Sequence, residues 1–188
     1  MNDVTVIDAD GHVLETDAEL EQYFDGDYKG HRRTGTFSIF PSLDGWPRGF
    51  VRGLDKVTKV TSETWIQFIE GSKIDAAVLY PTAGLSFGLI QDPDWACVVA
   101  RMYNNWLHDR YCKVDARLKG VAILPVHNPQ EAAIELRRAV KEQGMVAGLL
   151  PAVTKLNKGY GHQDFYPIYK EAQDLNVPLT VHGAVSSG

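Results

Sequence analysis

The stretch GVAILPVHNPQEAAIELRRAVKEQGMVAGLLP, residues 120–151, contains a complete strand–helix–strand unit. GVAILPV (120–126) is a continuous apolar run of strand length, the pattern that burial on both faces of a sheet requires. Asn128 followed by Pro129 reads as a helix start. The first supplies a side-chain cap for free N–H groups, and the second has a preset φ and no N–H to satisfy. Ala133, Leu136 and Val140 carry the apolar face, Gly144 closes the helix, and MVAGLLP (145–151) is a second buried strand. Two such strands joined by a crossing helix pair in parallel.

The same alternation extends in both directions. Toward the N-terminus, Asp92-Pro93 opens a helix that runs to about Cys112, carried by Trp95, Val98, Val99, Met102, Trp106 and Leu107. DAAVLYP (75–81) is the strand before it, preceded by a helix from Ser62 to Glu70 that has Trp65, Phe68 and Ile69 on one face and ends at Gly71. VTVID (4–8) is a first strand, and Thr16 with Glu19 forms a capping box for a brief helix through Phe24. Toward the C-terminus, Asp164 caps a helix from Tyr166 to Leu175, and VPLTVHG (177–183) is a fifth strand. Residues 25–60 are rich in Gly, Asp and aromatic residues without periodicity and read as an elaborated loop insertion.

Two α/β architectures accept this pattern: an open doubly wound sheet, or a (β/α)8 TIM barrel represented by about five N-terminal βα units in a single domain, 1–188. The dinucleotide-binding form of the first needs G-x-G-x-x-G after its first strand, where this chain has DADGHVLE with one glycine. In a barrel the C-terminal strand ends carry the chemistry. The polar residues at those ends are Asp8, Asp10 and His12, then Tyr80 and Thr82, then His127, then His182.

Composition narrows the function classes. With 44% hydrophobic and 23% charged residues over 188 positions, the chain has the makeup of a folded globular domain. A net charge of −5 and a pI near 5.6 give no electrostatic reason for nucleic acid or an anionic membrane as partner, so a small-molecule substrate is expected. Cys97 and Cys112 lie fifteen residues apart and suggest neither a disulfide framework nor a metal knuckle. A signal-like leader and an apolar window of ~18 residues are both lacking, which reads as a cytoplasmic, unprocessed protein.

Along a strand, residues two apart share a side, so Asp8, Asp10 and His12 are expected to project together. A carboxylate oxygen and an imidazole nitrogen suit a divalent first-row metal, and His182 at another strand end would complete a set of three with Asp10 and His12. Zn²⁺ is the first expectation and Mn²⁺ the second. Taken alone, Asp-x-Asp-x-His is a weak pattern, since an Asp after a strand often forms a turn or cap, and His182 alone reads equally well as a core histidine. Tyr80, His127 and Trp46 are expected to contact substrate, with Tyr23 and Phe50 as further loop aromatics. Lys29, His31, Arg32, Arg33 and Arg48 could meet a substrate carboxylate, although solvation is the ordinary role of such residues.

The segments IDADGHVLE, IDAAVLYPT, YNNWLHDRY, GVAILPVHNPQEAAIELRRAV, GMVAGLLP and DFYPIYKEAQDLNVPLTVHG together resemble the amidohydrolase-related family of metal-dependent barrels. That family includes aminocarboxymuconate-semialdehyde, resorcylate and carboxyvanillate decarboxylases. The resemblance implies metal ligation by the outer residues of a His-x-His or Glu-x-His pair on the first strand, here Asp10 and His12, and by a histidine ending strand five, here His182. Asp in the first position is a departure. The resemblance also implies a further Asp ligand and a catalytic His from strands beyond residue 188, so the general acid or base is unknown. Since a (β/α)8 domain needs ~250 residues, the chain reads as an N-terminal piece, as a subunit whose strands six to eight come from a second chain, or as a remnant. A homodimer is a further partner arrangement that the resemblance suggests.

Three functions follow. The first is a metal-dependent hydrolase using a metal-activated water. The second is a nonoxidative decarboxylase of a small aromatic or unsaturated carboxylate. The third is a non-catalytic or incomplete subunit that keeps the barrel's shape.

Overall fold

The computed structural model describes residues 4–29, 38–41 and 60–183. Five strands pair in parallel in chain order: β1 (Ile7–His12), β2 (Ala76–Tyr80), β3 (Leu118–Ile123), β4 (Ala147–Pro151) and β5 (Leu179–His182). A short helix, α1 (Asp17–Leu20), follows β1; α2 (Ser62–Ser72), α3 (Pro93–Leu107), α4 (Pro129–Gln143) and α5 (Tyr166–Leu175) connect the strands.

A doubly wound sheet reverses its strand order at a switch point, and this sheet does not. Nor is it flat. With neighbouring strands ~4.8 Å apart, four steps in a plane would separate β1 from β5 by ~19 Å, a gap that two side chains close only in part. Yet Nε2 of His12 on β1 lies 3.2 Å from Nε2 of His182 on β5. The sheet is therefore curled into part of a TIM barrel, with the C-terminal ends of β1 and β5 facing across the bore. Among the described residues each of these outer strands pairs on one side only, and Ile7 and Val181 are more than half exposed.

Local chemistry accounts for the helix boundaries, with some departures from the sequence reading. Asn128 caps α4 by accepting from the Glu131 N–H, and Gly144 ends it in the left-handed region at φ 68°. Its buried stripe is Ala132, Glu135, Leu136 and Ala139, one residue around from the expected face, so Ala133 and Val140 are half-buried. A two-bond box between Thr61 and Thr64 opens α2. Gly71 does not stop that helix. Lys73 takes the left-handed conformation instead, and the Ile74 N–H returns to the Ile69 carbonyl at 2.9 Å. His162, rather than Asp164, caps the turn before α5 by accepting from the Asp164 N–H. The α3 helix gives way at His108 to a single wider turn ending at Cys112. Periodicity missed the tight-turned segment Ala83–Leu89 between β2 and α3, which is largely buried.

Gly11 shows why the first strand needs a residue without a side chain. A Cβ there would meet the Trp65 ring at 2.7 Å and Leu79 at 3.1 Å, so only glycine lets α2 lie this close to β1. Most of the 25–60 insertion lies outside the described residues, including His31, Arg32, Arg33, Trp46, Arg48 and Phe50. Of its described part, Ile39 and Phe40 are core residues, and Tyr28 packs with Phe24 on Trp95. Tyr23, expected near substrate, instead donates its hydroxyl to Asp109.

The end of β3 is held by a side chain acting as a surrogate strand. Fully buried Asn104 accepts from the Ile123 N–H at 2.9 Å and donates to the Ile123 carbonyl at 3.0 Å. Its amide also donates to Glu135 at 2.7 Å, and Arg138 neutralises Glu135 through two further bonds. Removing the amide would orphan a buried donor and a buried acceptor. Asn104→Ala is expected to lower unfolding stability by about 2–4 kcal/mol, measured as a reduced urea midpoint with an unchanged slope.

Candidate metal centre

Asp10 and His12 reach the bore from the end of β1, and His182 from the end of β5. Each offers one ligand atom, and those atoms lie within 4.8 Å of one another. His182 Nε2 is 3.0 Å from Asp10 Oδ1 and 3.2 Å from His12 Nε2, and His12 Nε2 is 3.9 Å from Asp10 Oδ1. Asp8 does not join them. The β1–β2 register shifts between Asp8 and Gly11, which breaks the simple alternation, and Asp8 Oδ1 accepts from the Asp10 N–H instead.

The ring nitrogens can be assigned from their partners. A carbonyl cannot donate, so the Nδ1 atoms that face carbonyls must carry the hydrogens. His12 Nδ1 donates to the Pro81 carbonyl at 2.8 Å, and His182 Nδ1 donates to the Gly183 carbonyl at 2.8 Å. In the neutral rings both Nε2 atoms then present lone pairs toward the Asp10 carboxylate, so three electron-pair donors face one small space. A cation relieves that crowding. With bonds of 2.0–2.2 Å and tetrahedral to octahedral angles, ligand atoms around one ion stand ~2.8–3.6 Å apart. Two of the three separations fall in this range and the third is slightly longer. The donor set, one carboxylate and two neutral imidazoles oriented by backbone carbonyls, fits a divalent first-row metal.

The wall beside the triad is aromatic. Tyr80, at the end of β2, sets its ring centroid 5.2 Å from that of His182 and 6.2 Å from that of His12. Asp10 is the open member, with its side chain 76% exposed against 32% for His12 and 21% for His182.

His127 does not have the role expected of it. Its ring packs edge-on against Phe87, and both nitrogens are shut off from solvent, close to the Gly88 and Ile90 carbonyls. The residue is half-buried, and in this arrangement its ring nitrogens face the protein and not the bore. Trp46 lies outside the described residues. A cavity of about 310 Å³ opens elsewhere, between the start of α2 and the end of α3, lined by Glu19, Thr61, Glu63, Trp106, Asp109 and Arg110 among others; none of the triad borders it.

One carboxylate near the centre escaped the sequence reading. Glu15, three residues after His12, accepts from the backbone N–H groups of Thr82, Ala83 and Gly84. Burial pushes its carboxyl up, and those amides pull it down less strongly. No periodic pattern marks such a residue, because its partners are backbone atoms of a distant turn.

Residues 7–188 match the amidohydrolase family. The chain belongs to that family. Among curated relatives, the gamma-resorcylate decarboxylase of Polaromonas sp. (strain JS666) is 34% identical over 98 residues, covering 50% of this chain and 30% of the relative. The enzyme of the same name from Rhodococcus jostii (strain RHA1) is 32% identical over 101 residues, covering 50% and 31%. A 2,6-dihydroxybenzoate decarboxylase from Rhizobium superposes with a TM-score of 0.70 at 20% identity, over 96% of this chain and 50% of that one. A dihydroxybenzoic acid decarboxylase from Polaromonas sp. JS666, solved with bound manganese and the inhibitor 2-nitroresorcinol, gives 0.70 at 22% identity, over 96% and 49%. The chain thus spans about half the length of these solved structures, and its matched part spans about a third of the curated relatives. Each of these relatives is named as a decarboxylase. No described helix is long and apolar enough to cross a membrane.

Burial depresses the His127 pKa, so near pH 6 the unfolded chain holds more proton at this position than the folded one. Its contribution to stability is whole above the unfolded value of ~6.5 and is lost as pH falls from there through the lower folded value. His127→Phe is therefore expected to flatten the decline in melting temperature between pH 7.5 and 5, read from the difference between variant and wild-type profiles.

Proposed function

We propose that this chain forms the metal-binding part of a nonoxidative decarboxylase whose substrate is a small aromatic acid with a hydroxyl beside its carboxylate. The observation that carries the reading is the convergence of Asp10, His12 and His182 at the barrel mouth, in a chain whose curated relatives are gamma-resorcylate decarboxylases. Asp10, His12 and His182 would hold the ion, whose positive charge would be available to an anionic substrate oxygen. Manganese is favoured by the manganese-bound relative, and zinc suits the same donors. Tyr80 flanks the bore and gives an aromatic ring a face or edge to pack against. The overall change protonates the ring carbon that bears the carboxylate and breaks the bond to it, releasing CO2 while the bonding pair restores the ring. We place residues 1–188 in one barrel domain, its bore completed by further strands, and take Trp46 in the 25–60 insertion as a substrate contact. A homodimer and a cytoplasmic location belong to the same reading.

The full-length protein, stripped of metal and reloaded with Mn²⁺ or Zn²⁺, is expected to convert 2,6-dihydroxybenzoate to resorcinol and CO2 only when loaded. Asp10→Ala and His182→Ala should each lower kcat/KM by at least roughly 100-fold. Metal-dependent cleavage of esters, lactones or amides with no CO2 release would instead establish the hydrolase. Failure to bind either metal with the triad intact would establish a non-catalytic module.

A further inference from the structure

The geometry points to Glu15 as a positioning residue for the His12 imidazole, acting through the single peptide group between Pro81 and Thr82. The carbonyl of that peptide accepts the Nδ1–H of His12 at 2.8 Å. The N–H of the same peptide donates to both oxygens of Glu15, each at 3.1 Å. A carboxylate at one end of an amide and an imidazole at the other form a continuous hydrogen-bonded line: Glu15, peptide, His12 Nδ1, and then Nε2 facing the triad. Negative charge at the N–H end polarises the amide and makes its oxygen a stronger acceptor. A stronger acceptor at Nδ1 raises the donor power of Nε2 and fixes the ring's orientation, the part a carboxylate plays when it touches a metal-bound histidine directly. Here a peptide group stands between them.

The surroundings are built to hold this line. Glu15 also accepts from the Ala83 N–H at 3.2 Å and the Gly84 N–H at 2.9 Å, so its carboxylate grips three consecutive amides. Pro81, the residue before them, has no N–H to compete. Gly84 leaves no room for a side chain: a Cβ there would lie 2.7 Å from Pro81, 2.8 Å from Ile123 and 3.2 Å from Glu15 itself. The turn is pressed between the strand ends and the carboxylate, and the Pro81 carbonyl has little freedom to swing away from His12. Thr82 Oγ1 lies 3.4 Å from the same His12 nitrogen, a longer contact that reinforces the ring's orientation.

This inference rests on reading His12 as a metal ligand, and two readouts separate the two ideas. In the full-length protein, Glu15→Gln keeps the side chain's size and removes its charge. Its dissociation constant for Mn²⁺ or Zn²⁺ alone is expected to rise roughly 10- to 100-fold, by calorimetric titration well below the melting temperature. In the metal-free protein, the His12 Nδ1–H proton resonance should move upfield as its hydrogen bond weakens. Glu15→Asp, which retains charge with shorter reach, should fall between the two and serves if the Gln variant fails to fold. Ser86→Ala removes a buried hydroxyl bond to the Ala83 carbonyl in the same turn; it should lower stability and leave metal affinity unchanged. If Glu15→Gln lowers stability while affinity and the His12 resonance stay at wild-type values, Glu15 is a structural clamp only and the proposal is overturned. If Glu15→Gln moves the resonance while the wild type binds neither metal, the relay stands and the ligand reading of His12 fails.

Discussion

A parallel sheet delivers every strand's C-terminal end to one rim, and the curl of this sheet decides which ends meet. His12 and His182 are 170 residues apart in sequence, and their Nε2 atoms are 3.2 Å apart in space. Without the curl they would stand on opposite flanks of a flat ribbon. The curl in turn needs the outer face of the sheet to be filled by helices at close range. Gly11 permits this where Trp65 of α2 lies against β1, and at the end of β3 the Asn104 amide ties α3 to the Ile123 backbone. The packing behind the strands and the geometry in front of them are one problem, since a shift of either outer strand would part the three ligand atoms.

Orientation is the second layer of control. A histidine whose distal nitrogen is free can rotate or change tautomer, and each choice moves the lone pair. Both histidines of this centre have that freedom removed by a backbone carbonyl, Pro81 for His12 and Gly183 for His182. The two anchors differ in kind. Gly183 is the next residue along the chain, so that contact travels with β5. Pro81 belongs to another strand end, and its position depends on the turn that Glu15 grips. The carboxylate of Asp10 is far more exposed than either imidazole and stands at the solvent side of the bore.

The register shift in β1 bears on the same point. Strict alternation would aim Asp8, Asp10 and His12 in one direction, crowding two carboxylates into a small space. The irregularity between Asp8 and Gly11 separates them, and Asp8 becomes a local acceptor for the Asp10 N–H. One carboxylate and two imidazoles remain, a set whose single formal negative charge would leave a bound divalent ion with net positive charge.

Much of this was legible in the chain itself. Continuous apolar runs, proline after a capping residue and glycine past a helix end are local signals, set by backbone sterics and by the need to satisfy free N–H and C=O groups. They mark four of the five strands and most helix starts closely, whereas the first strand, read at 4–8, runs from Ile7 to His12, so that Asp10 and His12 lie within it and not beyond its end. Boundaries slipped where the deciding partner was remote or the choice nearly degenerate, as when Lys73 rather than Gly71 ended α2. Tertiary structure alone decided that Tyr23 pairs with Asp109, that the ring nitrogens of His127 are enclosed beside Phe87, and that Glu15 holds the turn after β2. In each case the partner is a side chain or backbone group many residues away, and no periodicity records such a contact. The sequence by itself determined the alternating elements and which residues stand at the rim; only the curl of the sheet determined which of them touch.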